Sequence, residues 1–188
     1  MITLSQHLLL WARNNAWANH RLYRACAQLP QAQFAATGRT SFFPSIKHTL
    51  NHILTVDWYY LDAIERTQRG EPPHPDPRHY WQPEEPFDDC ATLQREQARC
   101  DARLLAIAGA LRDEGLEQMI LVPRRSGVER EPLHRLLAHL LQHDIHHRGQ
   151  VHAMLAGTAV PPPQLDEFFC VNDAPRRAGE MRALGFAE

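Results

Sequence analysis

Residues 132–157 read PLHRLLAHLLQHDIHHRGQVHAMLAG, with proline at the start, glycine at the end and six of the chain's twelve histidines. Pro at the first helical position and Gly just past the last punctuate an α-helix, and Gly149 is the one breaker between them. The stretch therefore reads as a single helix. Successive residues turn by about 100° on a helix, which sets Leu136, Leu140, His143, His147, Val151 and Met154 on one stripe. Two histidines thus stand where core residues are expected. Four residues apart, they lie one turn above each other, near enough for both rings to reach a single metal ion.

Spacing limits which histidines can share an ion. A helix rises about 1.5 Å per residue, so His139 and His147 stand about 12 Å apart along the axis and cannot both be ligands. The pairs His139–His143 and His143–His146 satisfy the geometry, but His139 and His146 are turned away from the apolar stripe. A pair supplies two ligands, so a third must come from another helix. The best candidate is His52, which sits in the middle of a second helical pattern near its apolar face. Three imidazoles leave a tetrahedral ion one open position, the pattern of catalytic rather than structural zinc. Such an ion lowers the pKa of a bound water or thiol and creates a nucleophile at neutral pH. Imidazole ligands suit zinc, nickel, iron and copper alike. Position 144 is Asp144, so no H-E-x-x-H metalloprotease signature is present, and neither a phosphate-binding Gly-rich loop nor a G-x-S-x-G elbow occurs.

The rest of the chain reads as three further long helices. Thr3 with Gln6 forms a capping box, and Leu4, Leu8, Trp11, Asn15, Ala18, Leu22, Ala25 and Leu29 keep a three-four rhythm up to Pro30, giving a helix over residues 4–29. Asn15 and Asn19 read as exposed or locally bonded, with the bracing of a polar site as the alternative. A second helix starts near Pro44 and runs to Gln68, with Ile46, Leu50, Ile53, Asp57, Tyr60, Leu61 and Ile64 on one face. Asp57 lies among apolar positions, where an acid must be paired. It is a candidate partner for a ligand histidine or for Arg148. Six prolines between Gly70 and Phe87 exclude a long helix there and make a crossover loop. Asp88 or Asp89 caps a third helix that carries Leu93, Gln97, Cys100, Leu104, Ile107 and Leu111 and ends at Gly115. Residues 116–131 suggest a short hairpin or irregular turn around Ser126 and Gly127, and residues 175–186 a short terminal helix. The reading is an all-α four-helix bundle.

Composition narrows the function classes. The 188 residues fit one domain, 44% of them hydrophobic and 22% charged, and the net charge of -2 comes with no basic block. Neither nucleic-acid nor membrane binding is expected from that balance. The first residues lack the features of a signal peptide, no apolar run reaches the length of a membrane span, and Cys26, Cys90, Cys100 and Cys170 form no C-x-x-C pair. A cytoplasmic location with reduced thiols follows as the expectation.

Three segments in order, NNAWANHRL at 14–22, SIKHTLNHILTVDWYYL at 45–61 and HLLQHDIHHRGQVHAML at 139–155, followed by PPPQLDEF, resemble the DinB/YfiT-like family of small bacterial metal-binding bundles. The likeness covers about residues 4–170 and leaves 171–188 as a C-terminal tail. It implies an up-down-down-up bundle with a long crossover, and a divalent metal, zinc or nickel, held by His52, His143 and His147. It also implies a homodimer acting on a small-molecule substrate. The characterised enzymes of the family are metal-dependent transferases or isomerases that use a low-molecular-weight thiol such as bacillithiol or mycothiol. A thiol transferase is therefore the first expectation, with a metal-dependent hydrolase or a non-enzymatic metal-binding stress protein as alternatives. Arg148 and Asp57 are candidate supports, for a cofactor carboxylate and a ligand imidazole respectively, with a structural pairing of Arg148 to Asp57 or Asp144 as an equal alternative, and no residue is assigned a catalytic role beyond the ligands.

Overall fold

The structure is a computed structural model and describes residues 1–186 of the chain; the last two residues of the expected C-terminal tail, 187 and 188, lie outside it. Four long helices, α1 (Leu4–Cys26), α3 (Ile46–Gln68), α4 (Cys90–Ala110) and α5 (Leu133–Ala156), make the bundle. The short α2 (Gln31–Phe34) lies in the first connection, the hairpin of β1 (Met119–Arg124) and β2 (Gly127–Pro132) joins α4 to α5, and α6 (Ala174–Ala183) closes the chain. Each long helix packs against two others, α1 and α3 each touching both α4 and α5. The long crossover runs from α3 to α4, as in an up-down-down-up bundle.

Local chemistry accounts for the helix ends, and in four places it moves them from the sequence reading. Thr3 caps α1 with the expected capping box to Gln6. The helix stops at Cys26 rather than Leu29, because Gln28 and Leu29 bond back three residues, to Ala25 O and Cys26 O at 3.0 Å, as the chain tightens before Pro30. Helix α3 starts after Ser45, whose hydroxyl accepts the His48 N–H at 3.0 Å, and not at Pro44. It ends with Gly70 at φ 70° and the Glu71 N–H on Arg66 O at 2.9 Å, a Schellman closure. Asp89 caps α4 through the Thr92 N–H at 2.8 Å. That helix ends at Ala110, short of the expected Gly115, since Leu111 turns extended and Asp113 instead accepts the Ser5 N–H at the start of α1, at 2.9 Å. Pro132 stands just before α5 rather than as its first residue.

The main core lies between the helices, with a second, smaller cluster around Trp17. Trp17, Leu22, Ile46, Leu54, Ile64, Leu93, Leu140 and Val151 are fully enclosed. The hairpin lays Ile120 and Val122 into it against α3, and Tyr59 donates its hydroxyl to Pro123 O at 2.5 Å. Its two-residue turn, Arg125 and Ser126, is followed by Gly127 at φ 128°. The terminal helix, slightly earlier than expected, covers α1: its Met181, with Phe168 from the segment before it, packs on Trp17, and Glu180 accepts from Trp17 Nε1 at 2.8 Å and Arg21 Nε at 2.7 Å.

Replacing Ser45 with Ala removes the cap of the helix that carries His52. The expected cost is about 1 kcal/mol, read as a lower urea midpoint at unchanged slope.

Candidate metal centre

Helix α3 brings His52, and α5 brings His143 and His147, to one point between them. One ring nitrogen from each of the three lies within 4.8 Å of the others. The Nε2 atoms of His52 and His143 are 3.0 Å apart, and the ring centroids are separated by 4.4 to 5.0 Å. Imidazole nitrogens each about 2.0–2.1 Å from a tetrahedral ion would stand about 3.3 Å from one another, so the observed spacing needs only a small adjustment to accept one. His147 is buried, while His52 and His143 keep an edge towards solvent.

The protonation states favour ligation. Burial, helped by His143, His147 and His48, pushes the His52 imidazole down to about 3. Burial also lowers His147, against a raising hydrogen bond from Gln150. Both rings are therefore neutral at pH 7, with lone pairs free. His147 Nδ1 stands 2.8 Å from Gln150 Oε1, which fits an Nδ1–H donor and leaves Nε2 bare, and the Gln150 amide in turn meets His146 Nε2 at 3.2 Å. Three imidazoles with no carboxylate among the candidate ligands suit zinc, nickel or another borderline transition ion, and fit magnesium or calcium poorly.

The other singled-out histidines do other work. His139 meets the Tyr60 hydroxyl at 3.2 Å. His48 packs on Phe43 and lies 3.5 Å from Glu85. Phe43 also covers His52 and His147, with centroids at 4.4 and 5.6 Å. A cleft of about 260 Å³ opens at His52 between Phe43, His48, Val56, Trp81 and Glu84.

Of the two supporting residues, Asp57 does not meet a ligand imidazole, and Arg148 takes the structural alternative beside Asp144. Asp57 is buried and accepts from Gln97 Nε2 at 2.6 Å; it bonds to none of the three imidazoles. Burial, and then the facing Asp144, raise its carboxyl well above the usual range. Arg148 Nη1 donates to Asn15 Oδ1 and, at 3.0 Å, to Asn19 Oδ1, and lies 4.0 Å from Asp144 Oδ2. Asn15 and Asn19 are therefore buried partners of a guanidinium and not the exposed residues expected from sequence. Asp101, held by Asn19 at 2.8 Å, completes the cluster, its carboxyl raised to about 7 by burial.

Residues 4–177 match the DinB family. The chain belongs to the DinB family. No curated protein gives a significant match. The family match extends past residue 170, into the stretch set apart as a tail from sequence.

Sequence reasoning placed Asp144 only as a partner of Arg148, not beside His143, and missed Gln150, Phe43 and Trp81. Leu137, Leu141, Asp144 and Arg148 recur at spacings of four, three and four, a second buried stripe that marks Asp144, and Gln150 follows a ligand by three. Phe43 and Trp81 lie on irregular connections, where no period exists to find them.

Histidine-resolved NMR on the metal-free protein checks the electrostatics. A lowered pKa means the proton is refused until the pH falls well below 6.5, so His52 is expected to stay neutral at pH 5. An imidazolium signal from His52 at that pH contradicts the buried, mutually repelling arrangement.

Proposed function

We propose that this DinB-family protein is a metal-dependent enzyme that activates a low-molecular-weight thiol at His52, His143 and His147 and transfers it to an electrophilic small molecule. The observation that carries the reading is the convergence of three imidazoles beside an open cleft. A divalent ion bound there, zinc or nickel, lowers the pKa of a coordinated thiol and so supplies a nucleophile without a general base.

The chain's own side chains supply positioning. The three imidazoles hold the ion, Gln150 orients His147, and Phe43 and Trp81 give the cleft apolar walls that exclude water from the reacting thiol. The three buried cysteines do not supply that thiol, which this reading draws from solution. Cys26, Cys90 and Cys100 are buried, and burial pushes Cys90 up to about 11 and the other two higher still. The family resemblance favours bacillithiol or mycothiol as its source. Four unpaired cysteines support a reducing, cytoplasmic setting, and no described helix is long and apolar enough to cross a membrane. A homodimer is part of the same reading, supported by the resemblance and by exposed Leu4 and Ile145 on neighbouring helices; light scattering tests it.

A hydrolase is the second reading, favoured by Glu84, an exposed carboxylate on the rim of the cleft that could serve as a base. Tag-free protein loaded with zinc or nickel separates the two. Thiol consumption with glutathione, bacillithiol or mycothiol against a simple electrophile is expected, abolished by His143→Ala with helicity intact and unaffected by Glu84→Gln. Full metal content without thiol consumption, together with ester hydrolysis lost in Glu84→Gln, favours the hydrolase instead.

A further inference from the structure

We propose that Asp144 is a positioning residue for His143. Its carboxylate accepts the Nδ1–H of that imidazole and holds the tautomer whose Nε2 lone pair faces His52 and His147. The proposal rests on the three-histidine cluster holding an ion, but not on thiol chemistry.

The argument starts from unpaired atoms. His143 Nδ1 is buried without a hydrogen-bond partner, and both carboxylate oxygens of the fully enclosed Asp144 are in the same condition. Buried polar atoms are nearly always bonded, and an enclosed carboxylate with no partner is costly. Asp144 Oδ1 lies 3.5 Å from His143 Nδ1, which sets an unpartnered ring nitrogen beside an unpartnered carboxylate oxygen. That separation is slightly longer than a hydrogen bond. A small rotation of the ring, of the size needed to bring Nε2 onto an ion shared with His52, can close it.

Every element packed against Asp144 contributes a group. From α5 itself, Arg148 stands 4.0 Å from Oδ2 and supplies the compensating charge. From α1, Asn15 and Asn19 accept from that guanidinium and fix its direction. From α3, Asp57 faces Asp144, and from α4 come Gln97, bonded to Asp57, and Asp101, bonded to Asn19. Among the described residues no lysine, and no arginine besides Arg148, is buried, so Arg148 is the one buried cation beside the carboxyl groups of Asp57, Asp101 and Asp144. A donor at His143 Nδ1 gives one of the unpartnered Asp144 oxygens a hydrogen bond. The chain of contacts runs from α1 through Arg148 and Asp144 to the ligand, the arrangement by which outer hydrogen bonds orient ligating histidines in metal sites generally.

The test uses the full chain, with Co²⁺ as the probe ion. In metal-free wild-type protein at neutral pH, nitrogen NMR is expected to find His143 protonated on Nδ1. Asp144→Leu should move the proton to Nε2 and weaken Co²⁺ binding by about a hundredfold, and Asp144→Asn, which keeps an acceptor but not the charge, by about tenfold. Gln97→Leu, in the same buried cluster but off this path, should leave both the tautomer and the affinity within twofold. Should Asp144→Leu not fold, Asp144→Asn and the wild-type tautomer carry the test. An Nε2–H tautomer in the wild type overturns the proposal. So does wild-type Co²⁺ affinity in Asp144→Asn, or an equal loss in Gln97→Leu, which would make Asp144 merely one more structural member of the cluster.

Discussion

The contact between α3 and α5 sets the distances from His52 to the other two histidines of the candidate site. His52 is contributed by one helix and His143 and His147 by the other, so a slip of one residue between them, about 1.5 Å, is several times the tolerance of a metal–nitrogen bond, about 0.2 Å. What prevents the slip is packing. Leu50, Ile53 and Leu54 on α3 and Leu140 and Val151 on α5 flank the histidines and are all but fully enclosed. A core at interior density resists small translations because any shift opens voids on one side and clashes on the other.

Helix α5 has a second buried face, and it is polar. Arg148 reaches Asn15 and Asn19 on α1, Asn19 reaches Asp101 on α4, and Gln97 of α4 reaches Asp57 on α3. One network therefore touches all four long helices. Such groups stabilise less than apolar residues of the same volume would, given the desolvation of each charge. They do, however, accept few alternative arrangements, because an unpaired member is expensive. In this bundle the polar network sets the rotation of α5, and that rotation is what turns His143 and His147 towards α3. The site and the buried ions are thus two faces of one constraint.

Access to the cluster belongs to the connections rather than to the bundle. The segment before α3 lays Phe43 over His48, His52 and His147, and the proline-rich crossover supplies Trp81 and Glu84. A rigid scaffold with its approach built from loops is the usual division of labour in functional sites. The terminal helix takes no part in it, since its contacts are with Trp17 and Arg21 on α1.

Much of this was legible in the chain itself. Periodicity located all four long helices, because a buried stripe at 3.6 residues per turn imprints itself on the sequence, and the caps at Thr3 and Asp89 marked two of their starts. The pair His143 and His147 followed from the same periodicity, and His52 from its place on a helix face together with the family resemblance. Periodicity identifies the face a residue occupies but not the element that face meets. For that reason Asp57 and Arg148 were recognisable as buried polar residues while their partners were not. Gln97, Asn15 and Asn19 lie between 40 and 133 residues away in the chain, and no local rule links them. The sequence by itself determined the helices and the pair His143 and His147, because both depend on spacing within a helix. Only the tertiary structure decided that His52 meets that pair, that Arg148 is tied to α1 and that Phe43 roofs the cluster, because those contacts exist only once separate elements are packed.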